Sequence, residues 1–312
     1  MKKTNCYYPN GTELIWHHSR DGRKYRLDAV DQPVRIMLDL KHDPRFDVIP
    51  VNSVDDKVLF ITHSPALINS YKSGNPFDLA TSSGIEWQSG FYDWVINKVW
   101  ATIFAVKNAV KEGKSLVITS GGHHAEFEHG RGFGPISNMI IAAKYLLNNN
   151  FLKKVAILDL DVHYANGTHS QVKGDPRILS CDIWRYRLTK WIYTSNRKNI
   201  LHKKANNITD YFIVLDQMFK KIAVFKPDVL FLYNGLDPLE NDRMGGIKGF
   251  DEKCLLNRNK LVAEFIHNHK LPITVFIGGG YINYNQNEID VEASKNKLTK
   301  LFIESSAVAL GL

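Results

Sequence analysis

The sequence has few of the features that mark secreted or membrane-spanning proteins. Its 312 residues include three cysteines, Cys6, Cys181 and Cys254, which are far apart and never form a Cys-x-x-Cys pair. This argues against a disulfide framework and against a thiolate metal site. No run of about 18 apolar residues could span a bilayer, and the first residues lack the apolar stretch of a signal peptide. We therefore expect a cytoplasmic protein with no membrane partner.

The chain also lacks internal repeats, low-complexity tracts and linkers rich in proline, glycine or serine. Apolar residues make up 44% of it and charged residues 23%, which is close to the globular average and excludes disordered and collagen-like chains. The formal net charge of +8 permits an anionic partner but does not bear on the fold. We expect one folded domain over residues 1–312.

Short apolar, β-branched runs alternate with longer segments of helical period. We predict strands over residues 58–62, 115–119, 155–158, 177–180, 229–233 and 273–277, and helices over 87–111, 136–147, 210–225, 251–267 and 291–310. Because the strand runs are apolar on both faces, they are typical of a parallel sheet with helices on each side. The alternation predicts the α/β class.

Polar segments follow four of these strands, at the edge where parallel sheets place their ligands. They are Ser120-Gly121-Gly122-His123-His124, Asp159-Leu160-Asp161-Val162-His163, Asn234-Gly235-Leu236-Asp237 and Gly278-Gly279-Gly280-Tyr281. We expect catalysis at this edge of the sheet.

The second of these segments has the spacing of a metal site. Asp159, Asp161 and His163 are two residues apart along an extended chain, so their side chains point the same way. With Asp237, they offer carboxylate and imidazole ligands that suit a divalent ion such as zinc, with a position open for water. An isolated Asp-x-His pair is more often a cap or a solvated loop, and the prediction rests on several strand ends carrying reactive groups together.

The histidine pair and the tyrosine each have a structural and a catalytic interpretation. His123 and His124 are either histidines at the edge of the core or, beside a metal, groups that take a proton from water and return it to a leaving amine. Tyr281 is either a buried ring or a phenol that donates a hydrogen bond to an oxyanion.

Taken in order, these motifs resemble those of the zinc-dependent histone deacetylase and acetylpolyamine amidohydrolase superfamily over about residues 55–312. Gly132-Phe133 and Asn166-Gly167-Thr168 belong to the same pattern. The resemblance implies the arginase-deacetylase fold, which is a three-layer α/β/α arrangement around a mainly parallel eight-stranded sheet. It also implies that the protein is a zinc-dependent deacetylase, which removes an acetyl or other short acyl group from an N-acylated amine.

The resemblance assigns a role to each matching position. It makes Asp161, His163 and Asp237 the zinc ligands, His124 the general base and acid, His123 its electrostatic partner, and Tyr281 the donor to the oxyanion. It implies that Asp159 holds His123 and, with Ser180, borders a structural potassium site. Gly132 and Phe133 match the wall of the substrate channel.

Some positions depart from the family pattern. Asn166 stands where many members have an aspartate, so we expect His124 to be less basic than in those members. The acidic residue that holds a peptide backbone in protein deacetylases has one candidate, Glu86, and a second channel aromatic has two, Trp184 and Tyr186. The segment 242–246 resembles the class IV branch and bacterial relatives, and it lies outside the chemistry that we predict.

The segment from Ile183 to Thr209 is basic and aromatic. It carries seven lysines and arginines and no acidic residue, and Trp184, Tyr186, Trp191 and Tyr193 lie among these charges. Near the mouth of an active site, this composition suits an anionic ligand better than a cationic one. The alternative is a solvated loop whose aromatic rings pack on the body of the protein or on another subunit.

The function that these observations predict is hydrolysis of an N-acyl amine, either an acyl-lysine in a protein or a small metabolite. One alternative is a catalytically weak deacetylase-like protein that binds an acylated or anionic partner. Another is an arginase-like hydrolase of the same fold, which would need a second metal and more Asp and His ligands.

Overall fold

A computed structural model describes residues 2–13, 28–190, 198–282 and 288–312. Its strands form one eight-stranded sheet in which every pairing is parallel, in the order β2-β1-β3-β8-β7-β4-β5-β6. The strands are β1 (Thr4–Pro9), β2 (Phe46–Val51), β3 (Lys114–Ser120), β4 (Val155–Asp159), β5 (Ile178–Trp184), β6 (Ile200–Lys204), β7 (Val229–Asn234) and β8 (Ile273–Ile277). The predicted eight-stranded parallel sheet is confirmed.

Helices cover both faces of the sheet. They are α1 (Asp28–Leu40), α2 (Pro65–Ser73), α3 (Phe77–Ala80), α4 (Phe91–Glu112), α5 (Asn138–Asn148), α6 (Asn166–Val172), α7 (Ile208–Phe225), α8 (Glu252–His269) and α9 (Glu288–Ala309), with a 3₁₀ helix over Lys57–Ile61. Helices α1, α7, α8 and α9 bury their apolar residues in one core, and α2, α4 and α5 in the other. None of the helices within the described ranges combines the length and the apolar character that a membrane span requires.

Alternation along the central strands divides their side chains between the two cores. In β4, Ala156 and Leu158 enter the core shared with α7 and α8, whereas Val155 and Ile157 enter the core shared with α4 and α5. All four side chains are fully buried, which explains why the first four positions of the strand are apolar.

Several helix starts follow from capping side chains. Ser64 accepts a hydrogen bond from Leu67 N at the start of α2, Asn207 from Asp210 N at the start of α7, and Asp251 from Cys254 N at the start of α8. Each cap satisfies a main-chain donor that would otherwise have no partner, and such a bond contributes about 1 kcal/mol.

One predicted strand is wrong, and three observed strands were not predicted. Residues 58–62 lie largely in the 3₁₀ helix, where Val58 and Leu59 are buried, because a short apolar run does not distinguish a strand from a buried helical turn. The strands missed are β1, β2 and β6, of which β2 and β6 form the two edges of the sheet. Helices α1, α2, α3 and α6 were also not predicted.

The sheet order explains how the site forms. The four strands whose ends carry the polar segments are β3, β8, β7 and β4, and these are consecutive neighbours in the middle of the sheet. Because all strands are parallel, the segments after them meet at one edge.

Candidate active site and metal centre

The predicted ligands Asp161, His163 and Asp237 converge at the ends of β4 and β7. His163 Nδ1 lies 2.9 Å from Asp161 Oδ1 and 2.9 Å from Asp237 Oδ2. One candidate ligand atom from each residue lies within 4.8 Å of the other two, and all three residues are buried. Among the described residues this is the one group of three such side chains found, which gives no support to a two-metal, arginase-like centre.

The orientation of His163 leaves Nδ1 free to bind a metal. Its Nε2 lies 3.0 Å from the carbonyl oxygen of Met244, which can only accept, so Nε2 carries the proton and donates it. Nδ1 therefore faces the two carboxylates and is the nitrogen that would bind a metal, as in metal-binding histidines whose second nitrogen is held by a carbonyl.

The electrostatics of this group call for a cation. Burial lowers the pKa of His163, but Asp161 and Asp237 outweigh burial and raise it to about 11. Burial and the charge of Asp161 raise the pKa of Asp237 well above its usual range. A raised His163 pKa means that a proton on Nδ1 balances the two carboxylates when no metal is bound. A divalent ion would take the place of that proton, and oxygen and nitrogen ligands of this kind suit zinc.

Gly279 keeps the space beside the carboxylates open. A Cβ atom at this position would lie 2.6 Å from Asp161 Oδ2 and 2.6 Å from Asp237 Oδ2. The Gly279 main-chain N–H instead donates to Asp161 Oδ2 at 2.8 Å. The residues present therefore fit a bound divalent ion.

The two adjacent histidines have different environments. His123 Nδ1 donates to Asp159 Oδ2 at 2.9 Å. Burial lowers the pKa of His123, but Asp159 and Asp161 outweigh burial and raise it above its usual value. For His124, burial and then the neighbouring His123 and His163 lower the pKa well below the usual value. His124 is therefore the neutral imidazole of the pair. Its lower basicity relative to family members with an aspartate at position 166 stays a prediction.

The partner of His124 is Asn166, at the start of α6. His124 Nδ1 lies 2.7 Å from Asn166 Oδ1, which accepts its hydrogen. Asn166 Nδ2 in turn donates to Glu126 Oε1 at 2.8 Å. His124 thus keeps an unprotonated Nε2, which is the form that a general base requires.

Tyr281 and Phe133 lie beside the predicted metal ligands. The Tyr281 ring centroid lies 6.5 Å from that of His163 and 6.2 Å from that of Phe133. Burial, followed by the charges of Asp161 and Asp237, raises the pKa of Tyr281 well above its usual value, so its hydroxyl stays protonated and able to donate. Gly132 has a φ of +56°, and a Cβ there would overlap the His124 ring, so glycine is required where this loop passes His124.

Of the two candidates for a second aromatic wall, Tyr186 lies at the site and Trp184 does not. The Tyr186 ring is 6.2 Å from that of His163 and is 39% exposed. Trp184 is buried and packs edge-on against Tyr164. Glu86 is exposed, on the loop whose Ser83 carbonyl accepts a hydrogen bond from Phe133 N, so its predicted role in peptide binding stays a prediction.

The basic segment divides into two parts within the described residues. Arg185 N and Tyr186 N both donate to the Val162 carbonyl, which places this first part next to His163. Lys203 and Lys204 lie on β6, the edge strand, where lysines protect a sheet from pairing with another chain. Trp191, Tyr193 and Arg197, to which the sequence prediction also referred, lie outside the described residues.

Buried oxygen atoms near Asp159 fit the predicted potassium site. Ser180 and Asp182 on β5 are in register with Ile157 and Asp159 on β4. Within the part of the chain that the structure describes, Ser180 Oγ, Asp182 Oδ1 and Thr168 Oγ1 are buried without a hydrogen-bond partner. Such hard oxygen atoms suit a monovalent or other hard cation. Sequence reasoning did not single out Asp182 or Thr168.

Two further residues that hold the site were missed or misjudged. Asp242 Oδ2 accepts from Tyr281 N at 2.6 Å, and its Oδ1 accepts from Met244 N at 2.9 Å, so the segment 242–246 contacts the site after all. Arg258 is fully buried and donates to the carbonyls of Leu160 and Gly235, at the ends of β4 and β7. Arg258 could have been found from the sequence, because it is a charged residue on the otherwise apolar face of α8.

Comparison with known proteins identifies the family of this chain. Residues 23–294 match the model of the histone deacetylase domain. The chain belongs to the histone deacetylase family. Its fold is similar to that of the HD domain of HDA15, with a TM-score of 0.71 at 16% identity over 97% of this chain and 90% of that one.

Relatives in this family come from different kinds of organism. Histone deacetylase 2 of Arabidopsis thaliana is 23% identical over 72% of this chain and 60% of its own length. A probable deacetylase of Methanothermobacter thermautotrophicus is 26% identical over 57% of each. An uncharacterised protein of Picosynechococcus is 25% identical over 72% of this chain and 75% of its own length. The chain thus spans less than two thirds of the two named deacetylases.

Proposed function

We propose that this protein is a zinc-dependent amidohydrolase that removes an acetyl or other short acyl group from an N-acylated amine. The observation that carries the proposal is the convergence of Asp161, His163 and Asp237 within 4.8 Å of one another, with His124 and Tyr281 beside them. The names of the relatives, which include histone deacetylases and a probable deacetylase, favour an acyl-amine substrate.

In the proposed mechanism, Asp161, His163 and Asp237 would hold the zinc ion, which would supply a Lewis acid for the acyl carbonyl and for water. His124 Nε2 takes a proton from water as the water oxygen attacks the acyl carbon. The Tyr281 hydroxyl donates to the oxygen that gains negative charge. His124 then returns the proton to the nitrogen as the C–N bond breaks, and a carboxylic acid and an amine leave. At neutral pH the acid gives up its proton and the amine takes one, so the final products are a carboxylate and an ammonium ion.

The cavity beside the site favours a small acyl group. It has a volume of about 40 Å³ and is lined in part by Ser120, His123, Phe133, Tyr233 and Tyr281. A group of a few heavy atoms suits this volume. The rings of Phe133 and Tyr186 would pack against the alkyl chain of the amine.

Other features of the proposal rest on the sequence. We retain a structural potassium ion bordered by Asp159 and Ser180, a single domain over residues 1–312, and a cytoplasmic location as predictions. A catalytically weak binding protein is the less favoured function, because a binder needs neither an unprotonated His124 nor a protonated Tyr281.

Metal analysis and release assays test the proposed function. We expect about one zinc ion per purified chain and release of free amine from at least one member of a panel of acetyl-lysine peptides, acetylated polyamines, amino sugars and amino acids. A hydroxamate, which binds zinc through two oxygens, should inhibit the release. Zinc binding without turnover of any acyl donor would favour the binding protein instead.

Replacing three basic residues that follow β5 tests the anionic-ligand hypothesis. We expect Arg185→Ala, Arg187→Ala and Lys190→Ala together to raise the KM of an anionic acyl substrate about tenfold, because exposed charge pairs contribute up to about 1 kcal/mol each. The KM of a neutral substrate should stay unchanged.

The matched control removes the same number of charges from the edge strand and the turn before it, with Lys198→Ala, Lys203→Ala and Lys204→Ala. This variant should leave both KM values unchanged. If the two triple variants behave alike, the segment is a solvated loop with no ligand.

A further inference from the structure

The hydrogen bonds of His124 continue through the Asn166 amide to the carboxylate of Glu126. Asn166 is 1% exposed and His124 4% exposed, whereas the Glu126 side chain is 28% exposed. The chain of contacts therefore runs outward from the buried base, through the Asn166 amide, to a carboxylate that reaches solvent.

An asparagine differs from an aspartate in having a donor end and an acceptor end. With Oδ1 toward His124, as observed, Nδ1 of the imidazole must donate, and Nε2 keeps its lone pair. With the amide reversed, Nδ2 would face His124, Nδ1 would have to accept, and the proton would move to Nε2. His124 would then be unable to take a proton from water.

The Glu126 carboxylate determines which orientation is stable. A carboxylate only accepts hydrogen bonds, so Asn166 Nδ2 at 2.8 Å is a favourable partner and Asn166 Oδ1 in its place would be repelled. The second hydrogen bond of Asn166 Nδ2, to the His124 carbonyl at 3.4 Å, is longer. Glu126 therefore supplies the stronger preference.

Glu126 is itself held in place by its backbone. Its N–H donates to the His129 carbonyl at 2.9 Å, and its carbonyl accepts from His63 Nδ1 at 2.9 Å. Its second carboxylate oxygen lies 3.9 Å from Arg131 Nη2. These contacts fix the side chain close to Asn166.

We propose that Glu126 is a positioning residue that orients the Asn166 amide and thereby keeps His124 in the tautomer with an unprotonated Nε2. The catalytic part of this inference rests on the proposed function, but the tautomer does not. An aspartate at position 166 would orient His124 directly through its own charge. In this chain the charge lies on Glu126, which acts on His124 through the Asn166 amide.

The test combines kinetics with nitrogen-15 NMR of histidine-labelled protein. In the wild type, His124 should show a protonated Nδ1 and an unprotonated Nε2, with the resonances assigned by a His124→Asn variant. Glu126→Ala should reduce kcat by about 10- to 100-fold, as for other residues that orient a functional histidine, with little change in KM. Its NMR spectrum should show a mixture of tautomers at His124.

Two further variants separate orientation from a general structural effect. In an Asn166→Asp background either oxygen can accept from Nδ1, so Glu126→Ala should cause no further loss of kcat. Glu128→Ala, on an exposed glutamate of the same loop, should match the wild type in kcat and tautomer.

An unchanged His124 tautomer in Glu126→Ala, or an equal loss of kcat in the Asn166→Asp background, would overturn the inference. If no acyl donor is hydrolysed by the wild type, the proposed function fails while the NMR result still decides the role of Glu126.

Discussion

Replacing Tyr281 by phenylalanine is expected to lower kcat by about 10²- to 10³-fold, which is the loss typical of removing one oxyanion donor. The ring itself should remain in place, because it packs beside Phe133 and the Tyr281 main chain is held by Asp242. Only the hydroxyl is lost. Since burial keeps this phenol protonated, the wild-type donor is present across the neutral pH range.

Zinc content and a second tyrosine serve as controls for this variant. Tyr281→Phe should bind about one zinc ion per chain, because the tyrosine is not a ligand. Tyr186→Phe removes the hydroxyl of a ring whose centroid lies at a similar distance from that of His163; this hydroxyl donates to the Gly246 carbonyl at 3.5 Å. We expect that variant to stay within about threefold of the wild type. Tyr281 has no part in the chemistry if its phenylalanine variant turns over normally.

The central strands were predictable because their burial leaves a simple pattern. Each of β3, β4, β7 and β8 is a short apolar run followed by polar residues, and the site lies at these ends. The edge strands gave a weaker signal. In β2, residues 47–50 are partly or fully exposed and include Pro50. Strand β6 ends in two exposed lysines. Neither sequence therefore has the continuous apolar pattern of a buried strand.

The site residues that sequence reasoning found are those that lie in short motifs. The residues that it missed are tied to the site only by the fold. Glu126 meets Asn166 across 40 positions of sequence, and Arg258 reaches the ends of β4 and β7 from the middle of α8. No periodicity or spacing encodes these contacts, because they depend on how loops and helices pack above the sheet.

Removing one proposed ligand should abolish stoichiometric zinc binding. Asp161→Ala takes away one of two carboxylates that face His163 Nδ1. The remaining Asp237 and His163 supply two ligands where a catalytic zinc site has three. We expect a loss of affinity greater than the 10- to 100-fold seen when only a residue behind a ligand is changed, with turnover falling in parallel.

Asp159→Asn is the matched control, because it removes the charge of another buried aspartate two residues away while keeping its size. Asp159 faces His123 and does not contact His163, so this variant should retain zinc even if its kcat falls. Both proteins are purified in the same way and analysed by elemental analysis after dialysis against a weak chelator. Equal zinc contents would show that Asp161 is not a ligand, and the proposed metal centre would then have to be abandoned.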